Sequence, residues 1–203
     1  NRGKQDHSVT HTYLESRAKN LLSVGSQENY NSSHQLQYAH LYRKNWLLAM
    51  SGKTVRSKAV IENFTSRDYK IFAWQLAPKV SYLFSANASW DLFYEYYNKE
   101  NSIADREQLK QTRVGTSFTY ASEKKLTMNG EFSLYENEFT GNSLSPVAFQ
   151  MLEGLQPGQN TTWRLLFQKS LTDYLDVNLS YQGRKSETSN TIHNGSIQLR
   201  AYF

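Results

Sequence analysis

Leu175-Asp176-Val177-Asn178-Leu179-Ser180-Tyr181-Gln182 and, at the end of the chain, Ile197-Gln198-Leu199-Arg200-Ala201-Tyr202-Phe203 decide the fold. In each, apolar residues occupy every second position, and the residues between them are mostly polar or charged. Successive side chains of a strand point to opposite faces, so period two is the mark of an extended segment with one apolar and one polar face. Working outward, Trp163, Leu165 and Phe167 oppose Thr162, Arg164 and Gln168, with Leu166 the one apolar residue on the polar side. Leu126, Met128, Gly130, Phe132 and Leu134 oppose Thr127, Asn129, Glu131 and Ser133. Trp90, Leu92, Tyr94 and Tyr96 oppose Asp91 and Glu95, and Phe72, Trp74, Leu76, Val80, Tyr82 and Phe84 oppose Gln75, Lys79 and Ser81. Val114, Thr116, Phe118 and Tyr120 are a weaker case. No segment of helical length shows a clean 3.6-residue period. The chain is all-β.

Nine strands follow, at about 33–42, 46–61, 70–84, 89–98, 111–121, 125–137, 161–171, 174–184 and 192–203, and a tenth in 8–22. There Val9, His11 and Tyr13 alternate with Thr10, Thr12 and Leu14 before Arg17 and Lys19 interrupt. The connections also alternate. Those at 43–45, 85–89, 121–125 and 171–174 are short, whereas 62–69, 98–110, 137–160 and 185–191 are longer. An up-and-down barrel of a bacterial outer membrane sorts its connections this way, with short periplasmic turns and longer outer loops. Ten strands put both termini on the periplasmic side, with 1–7 as a lead-in and 8–203 as the barrel. Pro78 lies inside a strand on the apolar parity, removes a ladder hydrogen bond, and predicts a bulge there.

Alternation alone does not say which face is wet. A soluble sandwich turns its apolar parity inward, a membrane barrel outward. Three features favour lipid. Most segments run to ten residues or more, as a tilted membrane strand requires. Aromatics gather near strand ends on the apolar parity (Trp46, Trp74, Phe84, Trp90, Trp163, Tyr181, Phe203), as interfacial girdles do. The other parity carries charges in mid-strand. Composition agrees: aromatics are 14% of 203 residues although the mean hydropathy is −0.69. No stretch is long and apolar enough for a membrane helix. The chain has no cysteine, which excludes disulfides and cysteine metal sites.

The stretch His193-Asn194-Gly195-Ser196-Ile197-Gln198-Leu199-Arg200-Ala201-Tyr202-Phe203 resembles the final strand of Gram-negative outer-membrane barrels. The resemblance implies integral outer-membrane localisation and an insertion signal on Gly195, Ile197, Leu199, Ala201 and Phe203, read by the barrel assembly machinery. Residues 151–160 and 181–185 are similar to the endings of large Bacteroidota outer-membrane proteins. The chain opens Asn1-Arg2-Gly3-Lys4-Gln5-Asp6-His7 with no initiator Met and no apolar signal region, and so reads as a mature form or as the C-terminal domain of a longer protein.

No catalytic constellation emerges. His34 and His40 share a strand face but sit about 20 Å apart at ordinary rise, too far to ligate one metal. Ser33 and His34 are adjacent and so point to opposite faces. Asp68, Asp105, Glu136 and Glu138 read as solvated loop acids, and no phosphate loop or His-Glu-x-x-His is present. The expectation is a non-enzymatic protein with no metal and no cofactor. Asp91, Glu95, Arg113, Glu131, Arg164, Asp176 and Arg200 fall on the polar parity and predict an ion-paired network in the lumen, with Lys79 beside it. The net charge of +5 comes from scattered bases, many at strand ends (Arg43, Lys44, Lys124, Lys125, Lys185). These suit lipid headgroups or lipopolysaccharide phosphates rather than nucleic acid. The connection 137–160 carries Val147, Phe149, Met151, Leu152 and Leu155, too apolar for a free loop, with a helical turn or two within 148–155 before Pro157-Gly158. It either caps the barrel mouth or docks a protein partner. Two functions stay open: a membrane anchor or docking subunit of an outer-membrane complex, and a gated transport pore with 137–160 as its lid.

Overall fold

The computed structural model describes residues 6–22, 25–122 and 126–202. Ten antiparallel strands follow one another around a single sheet: β1 (His7–Leu22), β2 (Gly25–Tyr42), β3 (Trp46–Ile61), β4 (Tyr69–Ser85), β5 (Ala88–Asn101), β6 (Gln108–Ser122), β7 (Leu126–Thr140), β8 (Gly158–Thr172), β9 (Leu175–Ser186) and β10 (Ile192–Ala201). Each pairs with its neighbours in sequence, in the order β1 to β10. One helix, α1 (Pro146–Leu152), and a 3-10 turn at Thr65–Arg67 interrupt the connections. Residues on β2 and β7 line one cavity, and residues on β6 and β10 line another, so the sheet curls around a lumen. This is the antiparallel up-and-down β-barrel fold. β1 pairs with β2 and β10 with β9, which makes these two the edges of the described ladder.

The strands are longer than the alternation predicts, and the extra length lies at the end away from the short turns. β2 begins at Gly25 rather than 33, β5 runs to Asn101, β6 begins at Gln108, β7 ends at Thr140 and β8 begins at Gly158. The β1–β2 connection shrinks to residues 23–24, the one exception among the outer connections to their greater length. The register stays regular. Pro78 opposes Met50 on β3, while on the β5 side Ala77 and Pro78 have no partner. The pairings on either side, Leu76 with Tyr96 and Lys79 with Phe93, keep one register. The expected bulge is therefore absent at Pro78, because two residues drop out of the ladder without an insertion. The shift in this strand pair comes instead between Leu83 and Ser85, beside the turn.

Two polarities share β3, β4, β6 and β7. Nearer the short turns, the outward parity is apolar and exposed: Leu48, Met50, Val80, Leu92, Phe118, Phe132 and Leu134 all keep between 37% and 50% of their surface open. Apolar faces of this extent have lipid as their solvent. On β7 the band runs from Leu126 to Leu134, about 27 Å along the strand at ordinary rise and roughly 20 Å in height once tilted, near the usual barrel band. Aromatics bound it. Trp46 packs edge-on to Tyr82 at 4.9 Å with Phe84 and Trp90 nearby, and Trp74 lies 5.2 Å from Tyr96 at the other boundary. Beyond that boundary the polarity reverses. Lys58, Lys70, Glu100, Lys110, Glu136 and Glu138 face outward, while Ala59, Ile71 and Leu109 on the opposite parity are buried to 7% or less.

Candidate functional site

The reversed end is where the chain builds its hydrophobic core. Val147, Ala148, Met151 and Leu152 of α1 are exposed to 3% or less and pack on Ile71 of β4 and Leu109 of β6, with Tyr69 and Phe139 alongside. These strand residues all lie on the inward parity, so α1 sits inside the outer mouth. The sequence supplies its ends. Ser145 is the N-cap and accepts from the Ala148 N–H at 3.0 Å, with Pro146 opening the first turn. Glu153 takes the left-handed conformation at the C-cap, and Gly154 follows at φ 79°.

Buried polar groups tie the cap to the wall. Lys99, 4% exposed on β5, donates from Nζ to the Met151 carbonyl at 2.8 Å and to Glu153 Oε1. This cation meets the carbonyl end of α1, where it is electrostatically favoured. Glu107, 1% exposed, accepts from Asn101 Nδ2 at 2.8 Å and from Ser145 Oγ at 3.3 Å. The strap after α1 is held by Asn137 and Asn160, which donate to the Gln156 carbonyl at 2.9 and 2.7 Å, and by Arg184, which donates to the Gly154 carbonyl at 2.7 Å. A buried polar group is tolerated only when its partners are fixed, and these partners all lie on the cap or its rim.

Below the cap the lumen is polar. Arg113 on β6 donates to Glu95 Oε2 at 3.2 Å, to Glu131 Oε1 at 2.6 Å and to Ser133 Oγ at 3.1 Å. Its guanidinium also lies 4.6 Å from the Phe93 ring. Phe93 can lie there because its partner across the strands is Gly115, where a Cβ would come within 2.4 Å of the ring. Asp91 pairs with Lys79 at 3.8 Å and accepts from Ser117 Oγ. One cavity of about 450 Å³ lies toward the cap, against Gln111, Tyr135, Glu153, Leu155, Arg164 and Arg184. A second of about 340 Å³ lies toward Gln35, Pro78 and Lys79, with Arg113 and Glu131 on its wall.

The structure thus gathers part of each expected site. Asp91, Glu95, Arg113 and Glu131 line one cavity together with Lys79, as an Arg113 bridge between Glu95 and Glu131 and a Lys79–Asp91 pair, and Arg164 opposes Glu131 across β7 and β8. Asp176 and Arg200 are register partners elsewhere, where Asp176 accepts from Ser170 Oγ and Tyr202 Oη, so the predicted network is two groups, not one. Of the loop residues, Val147, Met151 and Leu152 enter the core, Leu155 lines the cavity, and Phe149 is 70% exposed. Helical geometry explains Phe149, which lies on the face of α1 opposite the wall. The helix itself starts at Pro146, earlier than expected, because Ser145 caps it. Gly195, Ile197, Leu199 and Ala201 fall on the outward parity of β10, and Phe203, like Lys124 and Lys125, lies outside the described residues.

Lys99, Glu107, Asn137 and Asn160 escaped the sequence reading. Their signal is weak, because each looks like an ordinary polar residue near a strand end until the cap covers it. The histidines also gain a pattern: His7 stacks on His40 at 4.1 Å and His11 on His34 at 5.8 Å, all on the outward parity of β1 and β2. Among the described residues no three metal-ligating side chains come together.

No protein-family model matches the chain, and no curated protein does. Solved structures with similar form include the translocator domain of the autotransporter NalP from Neisseria meningitidis, at 11% identity and a TM-score of 0.48, over 95% of this chain and 73% of that one. The NanC porin aligns at 12% identity and a TM-score of 0.49, over 97% and 98%. The β domain of the Bordetella autotransporter BrkA aligns at 10% identity and a TM-score of 0.44, over 97% and 91%.

Proposed function

We propose that the chain forms a non-enzymatic wall of an outer-membrane β-barrel that anchors or docks a surface assembly, with its outer mouth shut by α1. The observation carrying this reading is the burial of α1 inside the mouth, on a polar lumen that already bridges itself through Arg113. Lipid supplies no hydrogen bonds, so the edges β1 and β10 have to be paired within the bilayer. They run in opposite directions and can pair with each other. The partner side of the reading rests on Leu144 and Phe149, exposed to 91% and 70% on the outer surface of the cap. Exposed apolar side chains grouped on a fixed base mark a surface that a protein partner can cover. By resemblance such a complex belongs to a Bacteroidota outer membrane, and insertion rests on the outward face of β10 with Phe203. Deleting 195–203 is expected to abolish membrane assembly.

A second reading, a gated pore, is favoured by the polar cavity of about 450 Å³ directly beneath the cap. Planar-bilayer recording separates the two. The docking reading expects no large, steady conductance from the intact chain or from one lacking 141–158. Stable openings in the intact protein would overturn it. Closure that gives way to opening on that deletion would establish the pore, with α1 as its lid.

A further inference from the structure

The outward face of β1–β4, just beyond the apolar band, carries positive charge in an arrangement that costs stability unless something negative covers it. One rung of the sheet reads Arg17, Tyr30, Lys58, Lys70 across the four strands, each opposite the next. Lys58 and Lys70 are therefore direct cross-strand neighbours of like charge, a pairing that sheets ordinarily avoid. Arg56 lies two residues closer to the membrane, opposite Phe72. Among the described residues none of Arg56, Lys58 and Lys70 has an ion-pair partner, and all three are exposed. Two nearby acids are already paired, Glu28 with Lys19 at 2.7 Å and Glu15 with Arg17 at 2.9 Å; Glu28 also acts on Lys58 electrostatically, and Glu100 faces outward opposite Phe72 on β5. Arg17 also stacks 5.1 Å from the ring of Tyr30. Beside Lys58 runs a groove of about 560 Å³ walled by Arg17, Lys19, Tyr30, Lys58 and Val60, with the Lys19-paired Glu28 the one carboxylate on it.

Depth selects the ligand. Trp74 opposes Thr54 and marks the band's outer boundary, so Arg56 and Lys58 stand two and four residues beyond it. At about 3.3 Å rise and barrel tilt, that is roughly 5 and 10 Å above the acyl region, within the headgroup layer. We infer that Arg56, Lys58 and Lys70, with the adjoining groove, bind the phosphate of a phosphorylated glycolipid of the outer leaflet. The cations supply charge-assisted hydrogen bonds, Tyr30, Val60 and Phe72 flank the sugar, and Trp74 at the boundary meets the acyl chains. The bases at the short turns, such as Arg43 and Lys44, lie at the opposite boundary and take no part. The inference rests on the membrane orientation proposed above.

Native mass spectrometry of the full chain in detergent tests it, with bisphosphorylated lipid A as the probe and the same lipid stripped of phosphate beside it. The expected result is an adduct with the phosphorylated lipid at least tenfold more abundant than with the stripped one. It should be lost in Arg56→Gln/Lys58→Gln/Lys70→Gln and kept in Arg43→Gln/Lys44→Gln. Lys58→Gln alone should raise the melting temperature without lipid, because a like-charge pair is relieved, and should lose the stabilisation that lipid A gives the parent chain. Equal binding of both lipids, or an adduct that survives the triple substitution, would overturn the proposal. So would displacement by millimolar inorganic phosphate, which would show a free-anion site. If the chain dissolves as a monomer without detergent, the membrane reading itself fails, an outcome distinct from a membrane protein that ignores the phosphates.

Discussion

β4 carries two environments along one strand. From Trp74 to Phe84 its outward residues are apolar while Gln75, Lys79 and Ser81 face the lumen; at Lys70 and Ile71 the order is reversed, the charge outside and the apolar side chain inside. β6 and β7 do the same, with Leu109 and Phe139 inward where Lys110 and Glu138 are outward. The lower region is built for lipid, with an inside held by Arg113 and its carboxylates. The upper region is built for water, with a small core of the ordinary globular kind under α1. The difference teaches where the bilayer ends, because only a change of solvent reverses which face must be apolar.

Substitutions that cross this divide should break in different ways. Met151→Ala removes a fully buried side chain from the upper core and is expected to cost about 2–5 kcal/mol of α1 docking. It should be read as new proteolytic cleavage within 141–157 while the barrel itself survives. Leu92→Arg places a charge in the lipid band and should cost about 2–4 kcal/mol in unfolding from vesicles. Gly115→Val pushes the Phe93 ring off its seat and disturbs Arg113, at about 1–3 kcal/mol, measured in the same titration. Phe149→Ala and Glu138→Gln touch only the watery exterior and should move stability by less than about 0.5 kcal/mol. A large effect of Glu138→Gln would mean that the upper face is not solvated.

The sequence states the lower region openly. Leu175 to Gln182 and Leu126 to Leu134 alternate because each has lipid on one side and lumen on the other, and both strands lie where the alternation puts them. It states the upper region poorly. Ile71, Leu109 and Phe139 stand on the parity that reads as polar lower down, so they look like breaks in the pattern rather than its reversal, and the alternation stops short of the strand ends there. The cap was legible as an apolar loop because Val147, Met151 and Leu152 have no other use. Its anchors were not, because Lys99, Glu107 and Asn160 become buried only through contacts made across the mouth. The lumen cluster followed from parity, but its division into two groups depends on which strands the curled sheet brings together.

The reversal can be read directly on β7. The chain has no cysteine, so single cysteines at 128, 132, 134, 136, 138 and 139 can each carry a spin label in reconstituted vesicles. Accessibility to oxygen against a water-soluble nickel complex reports lipid or water at each position. Oxygen should dominate at 128, 132 and 134, and the nickel complex at 136 and 138, with the label at 139 shielded from both beneath α1. A profile that stays lipid-like through 138, or water-like down to 128, would contradict a membrane boundary between Leu134 and Glu138.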